Sequence, residues 1–206
     1  MAKAPPPVGY GYWAISDIYE EIDTGPALAY GEGNYALFLK GDPGVPESFD
    51  VAKPAFKAFR LLHWLGNTRI AVAGGTAGDG VDAIATRTDD PPGVQVLVHH
   101  HAAGAAVEPA GAANVTLRLT NLAFSAGPLV LRHYLLDGEH SNSYTAWVAM
   151  DKPARPTAEQ WATLRDAADL CYYESEIELE DGTMNVTFPQ RIHGISLITL
   201  TPRTMP

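Results

Sequence analysis

The chain has 206 residues, 46% of them hydrophobic, which suits one domain of ordinary size, or one domain with a fragment of another, and is enough for a real core. Its formal net charge is −10 and it contains no run of Lys or Arg, so neither nucleic acid nor an anionic membrane surface is expected as a partner. No stretch approaches the roughly 20 apolar residues of a membrane span, and the opening "MAKAPPPVGYGYW" lacks the apolar region of a secretory signal, which makes the cytoplasm the expected location.

The first region, residues 1–66, holds a strand-like run "GYGYWAISD", a long stretch rich in Gly and Pro, and then "KPAFKAFRLLHWLG". That last piece predicts a helix with Pro54 in its first turn, Phe56, Phe59, Leu62 and Leu65 at helical spacing, and Gly66 as the stop. Strand, loop and helix make one βα unit.

From residue 67 the period changes to two. "TRIAVAG", "VDAIATRT", "VQVLVHHH", "NVTLRLTNL" and "PLVLRHYLLD" are short runs parted by turn residues, with alternation at Val94/Val96/Val98 and Val115/Leu117/Leu119. The glycine-rich "AGGTAGDG" lacks the ending of a phosphate loop and any following helix, so it is a hairpin connection, and "AAGAAVEPAGAA" is a loop between strands. "HSNSYTAWVAMDKPARP" interrupts the strands. "TAEQWATLRDAAD" follows as a short helix, with Thr157 and Gln160 matching a capping box and Trp161, Leu164 and Ala168 on one face. "YESEIELE" then alternates strictly, Asp181-Gly182 signals a two-residue hairpin, "TMNVTF" answers it, and "GISLITL" closes the chain. The fold class expected is mainly β: an antiparallel β-sandwich with a short helix over residues 67–206, preceded by a single βα unit.

Four groups of residues invite a chemical reading. In "YWAISDIYEE", Glu20 and Glu21 are neighbours whose side chains point to opposite faces of an extended strand, so they cannot flank one glycosidic bond as a catalytic pair. The same segment can offer acceptors from Asp17, Glu20 or Glu21 beside an aromatic face from Trp13 or Tyr12, as a sugar subsite would; a strand end with a solvated acidic loop is the simpler account of composition alone. The run His99-His100-His101 suggests a metal, but alternation leaves at most two rings on one face, and a strand-end cluster is the better reading. "DGEHS" holds the residue types of a hydrolytic triad crowded into five positions, where a polar turn is expected instead. The single cysteine, Cys171, excludes an internal disulfide and has no activating neighbour; it is assigned no role. The sequons at Asn114 and Asn185 fall in strand-like runs rather than loops.

Taken in order, "YWAISDIYEE", "KPAFKAFRLLHWLG", "HSNSYTAWVAMDKPARPTAEQ" and "GISLITL" resemble the C-terminal portion of glycoside hydrolase family 39, the family of β-xylosidases that also includes α-L-iduronidase. The resemblance implies a (β/α)₈ barrel with a β-sandwich beside it, which cleaves a terminal sugar with retention through two glutamates and no cofactor. It makes residues 1–66 the last strand, loop and helix of that barrel. It also implies that Trp13 walls the sugar subsite and that Glu21 first, or Glu20, binds sugar hydroxyls, with Asp17 beside them. The resemblance puts the acid/base glutamate after the fourth barrel strand and the nucleophile at the end of the seventh, so both would lie upstream of Met1; a whole barrel takes about 250 residues, against about 65 before the sandwich here. The expectation is therefore a C-terminal fragment that is inactive alone, meets a xyloside-like carbohydrate when its site is completed, and can self-associate through the exposed barrel remnant. A second expectation is a non-catalytic sandwich that binds carbohydrate or stabilises a partner subunit; Tyr144, Trp147 and Trp161 could supply a stacking platform, but their places in an ordered interval and a capped helix suggest core packing or domain contact instead. A third, weaker one is a metal-dependent enzyme using the histidine run.

Overall fold

The computed structural model describes residues 38–39, 51–75, 80–102, 111–122, 124, 127–153, 156–179 and 181–203. In chain order the described elements are β1 (Phe38–Leu39), β2 (Val51–Ala52), α1 (Pro54–His63), β3 (Thr68–Ile70), β4 (Val81–Asp89), β5 (Pro92–His100), β6 (Ala112–Leu119), β7 (Leu129–Leu136), α2 (Ser143–Ala149), α3 (Ala158–Ala168), β8 (Cys171–Ile177), β9 (Met184–Arg191) and β10 (Ile195–Pro202). The strands form a six-stranded sheet in the order β3-β4-β5-β10-β7-β8, a two-stranded sheet β6-β9, and the short pair β1-β2. All neighbours are antiparallel.

The period of two in the sequence becomes two differently packed faces of the large sheet. Across one face run Ala85, Val96 and Ile198, opposed by Phe188, Val186, Val115 and Leu117 of the two-stranded sheet; this is the sandwich core. Across the other run Leu97, Leu197 and Leu136, and against them lies α1 through Leu61, Ala58 and Leu65. A third cluster joins β2, α2 and α3 through Val51, Trp147, Trp161, Leu164 and Ala168. Each buried leucine in these layers contributes roughly 1.5–3 kcal/mol relative to exposure.

The helix at 54–63 begins at Pro54 as expected, but its buried stripe differs from the sequence reading. Leu61 is fully buried, whereas Leu62 is 43% exposed. Steps of three residues each rotate the side chain by about −60°, so positions 56, 59, 62 and 65 wind through half the circumference instead of sharing one face. Gly66 is also not the helix stop. The helix ends at His63 with Trp64 as its C-cap, and Gly66 serves a close approach: a Cβ there would lie 2.3 Å from the Arg87 carbonyl oxygen. Its N–H donates to Thr86 Oγ1 at 2.8 Å and Gln95 Oε1 at 3.1 Å.

The capping box is formed: Thr157 Oγ1 accepts from Gln160 N at 3.3 Å, and Gln160 Oε1 accepts from Thr157 N at 2.9 Å. Trp161, Leu164 and Ala168 are all buried along one face of α3. α2 is an additional helix inside the interval read only as an interruption. Asn142 is its N-cap, accepting from Tyr144 N and Thr145 N at 3.1 and 3.4 Å.

The Asp181-Gly182 hairpin is a correction. Both residues have the left-handed φ of a primed turn, 51° and 65°, but β8 pairs with β7 and β9 pairs with β6, so this turn carries the chain from one sheet to the other. A turn dipeptide reverses the chain without choosing its partner. The choice follows from burying Val186 and Phe188 against Val96 and Ile198 in the opposite layer. Among the described residues β8 is an edge strand, exposed along most of its length on both faces.

Candidate functional site

The β7–α2 connection is held by its own side chains. Asp137 Oδ1 accepts from the N–H groups of Glu139 and His140 at 2.8 and 2.9 Å, and His140 Nδ1 lies 2.9 Å from the same oxygen. Asn142 Nδ2 donates to Asp137 O at 2.9 Å while its Oδ1 caps α2, and Thr145 Oγ1 donates to Gly138 O at 2.7 Å. An Asp two residues before the N–H it binds is the ordinary Asx-turn arrangement, so the tight bend follows from local sequence. Against this turn the β9–β10 turn brings His193, with φ 58°, and Arg191, whose Nη2 meets Glu139 Oε2 at 2.6 Å.

Between these two turns and the first turn of α1, at Pro54 and Ala55, opens a cleft of about 570 Å³. The described carboxylates on its wall are matched: Asp137 has three donors, and Glu139 has Arg191. The cleft therefore presents hydrogen-bonding groups with compensated charge, rather than a carboxylate poised to give or take a proton. Arg191 and His193 lie some fifty residues from the turn they face, and no local spacing marks them; "DGEHS" and the Asn142 cap are the only sequence signals here.

The residues singled out by sequence separate as follows. Trp13, Asp17, Glu20 and Glu21 lie outside the described residues, as does Tyr12. The three adjacent histidines diverge: His99 is on the α1 side of the sheet; His100 is buried on the other side with Nδ1 3.2 Å from Gln190 O; and the His101 ring sits 5.3 Å from His193. Among the described residues no three His, Cys, Asp or Glu side chains converge to hold a metal. "DGEHS" is a turn and not a triad, because Ser141 Oγ points inward, donating to Leu135 O at 2.6 Å and accepting from Cys171 N at 2.9 Å. Burial and the charge of Asp137 push the Cys171 thiol up, away from nucleophilic reactivity. Trp147 and Trp161 are core residues, the former donating from Nε1 to Pro153 O at 3.1 Å, so they form no stacking platform; Tyr144 alone of that trio is exposed. Asn114 and Asn185 are exposed on the solvent face of β6 and β9.

The model of the Glycosyl hydrolases family 39 matches residues 2–178. The chain belongs to this family. A beta-xylosidase of Caldicellulosiruptor saccharolyticus is 25% identical to this family 39 chain over 165 residues, covering 80% of it and 30% of the relative. The crystal structure of a monomeric beta-xylosidase from Caulobacter crescentus superposes with a TM-score of 0.72 at 21% identity, covering 95% of this chain and 38% of that one. A glycoside hydrolase family 39 enzyme from Xanthomonas axonopodis pv. citri gives 0.72 at 20% identity, covering 93% and 37%. The chain thus spans 30–38% of the length of these relatives. At these identities the structural likeness establishes the fold alone. Among the described residues no helix is long and apolar enough to cross a membrane.

Proposed function

We propose that this chain supplies the last βα unit (residues 1–66) and the β-sandwich (67–206) of a retaining glycoside hydrolase acting on the terminal sugar of xyloside-like substrates. The observation that carries the reading is the family match: it runs continuously through Trp13, Asp17, Glu20 and Glu21, while the chain spans about a third of its relatives. In this reading Trp13 walls the sugar subsite, Glu21 or Glu20 accepts from sugar hydroxyls, and Asp17 supports them. The acid/base and nucleophile glutamates belong to barrel strands that this third does not include. α1 then keeps two faces: Leu61 toward the sandwich, and the side bearing exposed Leu62 toward the rest of a barrel or a second copy.

The chain alone should not turn over an aryl β-xyloside. A chimera in which it replaces the C-terminal third of an active family 39 β-xylosidase should turn over that substrate, and Glu21→Gln in the chimera should lower kcat/KM roughly 10–100-fold, the cost of a hydrogen bond to a charged acceptor. Turnover by the isolated chain that disappears with Glu21→Gln or Glu20→Gln would overturn the reading.

A further inference from the structure

On the α1 side of the large sheet, aromatic rings continue past the helix to the sheet edge. Arg60 Cζ sits 5.0 Å over the Trp64 ring, Trp64 lies 5.0 Å from Tyr134, and Tyr134 lies 5.3 Å from Tyr172. Tyr134 and Tyr172 are direct cross-strand partners on β7 and β8, and Tyr172 is 51% exposed. One ring face leans on Tyr134. Beyond it, among the described residues, β8 has no further strand.

Two residues further along each strand, on the same face, Arg132 Nε donates to Glu174 Oε2 at 2.6 Å; two further again on β8, Glu176 Oε2 accepts from Nη1 of Arg203, just past the end of β10, at 2.9 Å. Tyr172, Glu174 and Glu176 thus stand in line at intervals of roughly 7 Å along the strand. Both ion pairs are about half exposed, so their remaining donors and acceptors face solvent.

We propose that this outer face of β7 and β8 is a secondary binding surface for a linear, uncharged xylan-type polysaccharide; the choice of carbohydrate rests on the family 39 reading above. A tyrosine ring fixed by a second ring offers an apolar plane to the C–H face of a sugar at little entropic cost. Planar guanidinium and carboxylate groups locked to each other hold donors and acceptors in fixed directions, as hydroxyl recognition needs. Because Arg132 and Arg203 are each matched by a Glu, the β8 edge of this face carries little net charge, which disfavours a strongly charged partner and suits a neutral one. A second copy pairing through β8 is disfavoured too. Two-fold antiparallel pairing of Cys171–Ile177 about its centre would set Glu174 directly opposite its own equivalent.

The test is calorimetric titration of the full chain with xylohexaose. Saturable binding is expected, weakened at least about tenfold by Tyr172→Ala and several-fold by Arg132→Ala, and retained in Tyr172→Phe. Binding that is absent, or indifferent to Tyr172→Ala, overturns the proposal. Loss on Glu21→Gln with Tyr172→Ala silent also overturns it, while leaving the subsite reading standing; that reading has its own test in the chimera. Sedimentation showing a dimer that Tyr172→Ala dissociates, without heat from xylohexaose, would assign the face to a second copy instead.

Discussion

His133 Nε2 lies 2.9 Å from Ser196 Oγ on the sandwich side of the large sheet, with its ring 4.6 Å from that of Phe188 in the opposite layer. A titratable ring therefore sits between the two sheets, and burial, helped by the nearby charge of His140, holds its pKa down at about 4 instead of 6.5. The folded state keeps the ring neutral while the unfolded chain binds a proton from pH 6.5 downward. The unfolded state thus carries more protons between about pH 4 and 6.5, and stability falls as pH drops through that window. The contribution is complete above pH 6.5 and gone below pH 4, and amounts to on the order of 3 kcal/mol. Urea denaturation from pH 4 to 7 should show this slope, and His133→Gln, which keeps a polar partner for Ser196 but cannot titrate, should flatten it. An unaltered slope in the variant would place the proton elsewhere.

Leu61→Ala should destabilise the whole sheet and not the helix alone, because Leu61 shares a cluster with Leu97, Leu136 and Leu197. A loss of about 2–5 kcal/mol is expected, seen as a lower urea midpoint for sheet and helix signals together. Separate transitions would mean that residues 54–66 fold independently of the sandwich.

Two glycines give opposite expectations. At Gly66 a Cβ would fall 2.3 Å from the Arg87 carbonyl oxygen and 2.7 Å from Gln95 Oε1, so Gly66→Ala must displace backbone and should cost at least about 1–3 kcal/mol. At Gly138 a Cβ meets nothing within 4 Å, and Gly138→Ala should stay within about 0.5 kcal/mol of the parent. Thermal melts of the two variants side by side test the difference.

Asp137 satisfies two backbone N–H groups and a histidine at once, with its side chain only 7% exposed. Asp137→Ala leaves those donors without their acceptor and should cost roughly 2–4 kcal/mol. It should also raise amide exchange across 139–145, where Asn142 hangs from the Asp137 carbonyl. Unchanged protection there would show that the turn is held by other contacts.

Local sequence alone determined the pieces whose cause is local. Pro54 starts α1, Thr157 and Gln160 cap α3, and the alternation of Val94, Val96 and Val98 sets one face of β5 inward, since capping and pleating act over a few residues. Family membership was legible too, because four segments in order carry it.

The structure alone decided which surfaces meet. Nothing between Cys171 and Phe188 tells β8 to join β7 and β9 to join β6, because an Asp-Gly turn is compatible with either partner and only the burial of Phe188 between the layers chooses. Arg191 faces Glu139, and Tyr172 extends a row begun by Trp64, through contacts between residues 52, 70 and 38 positions apart; such pairs leave no periodic trace in a single sequence. Trp147 and Trp161, whose places in an ordered interval and a capped helix suggest core packing, are indeed buried, and Tyr144 is left exposed. Composition names a ring's chemistry, and packing determines which ring keeps its face open.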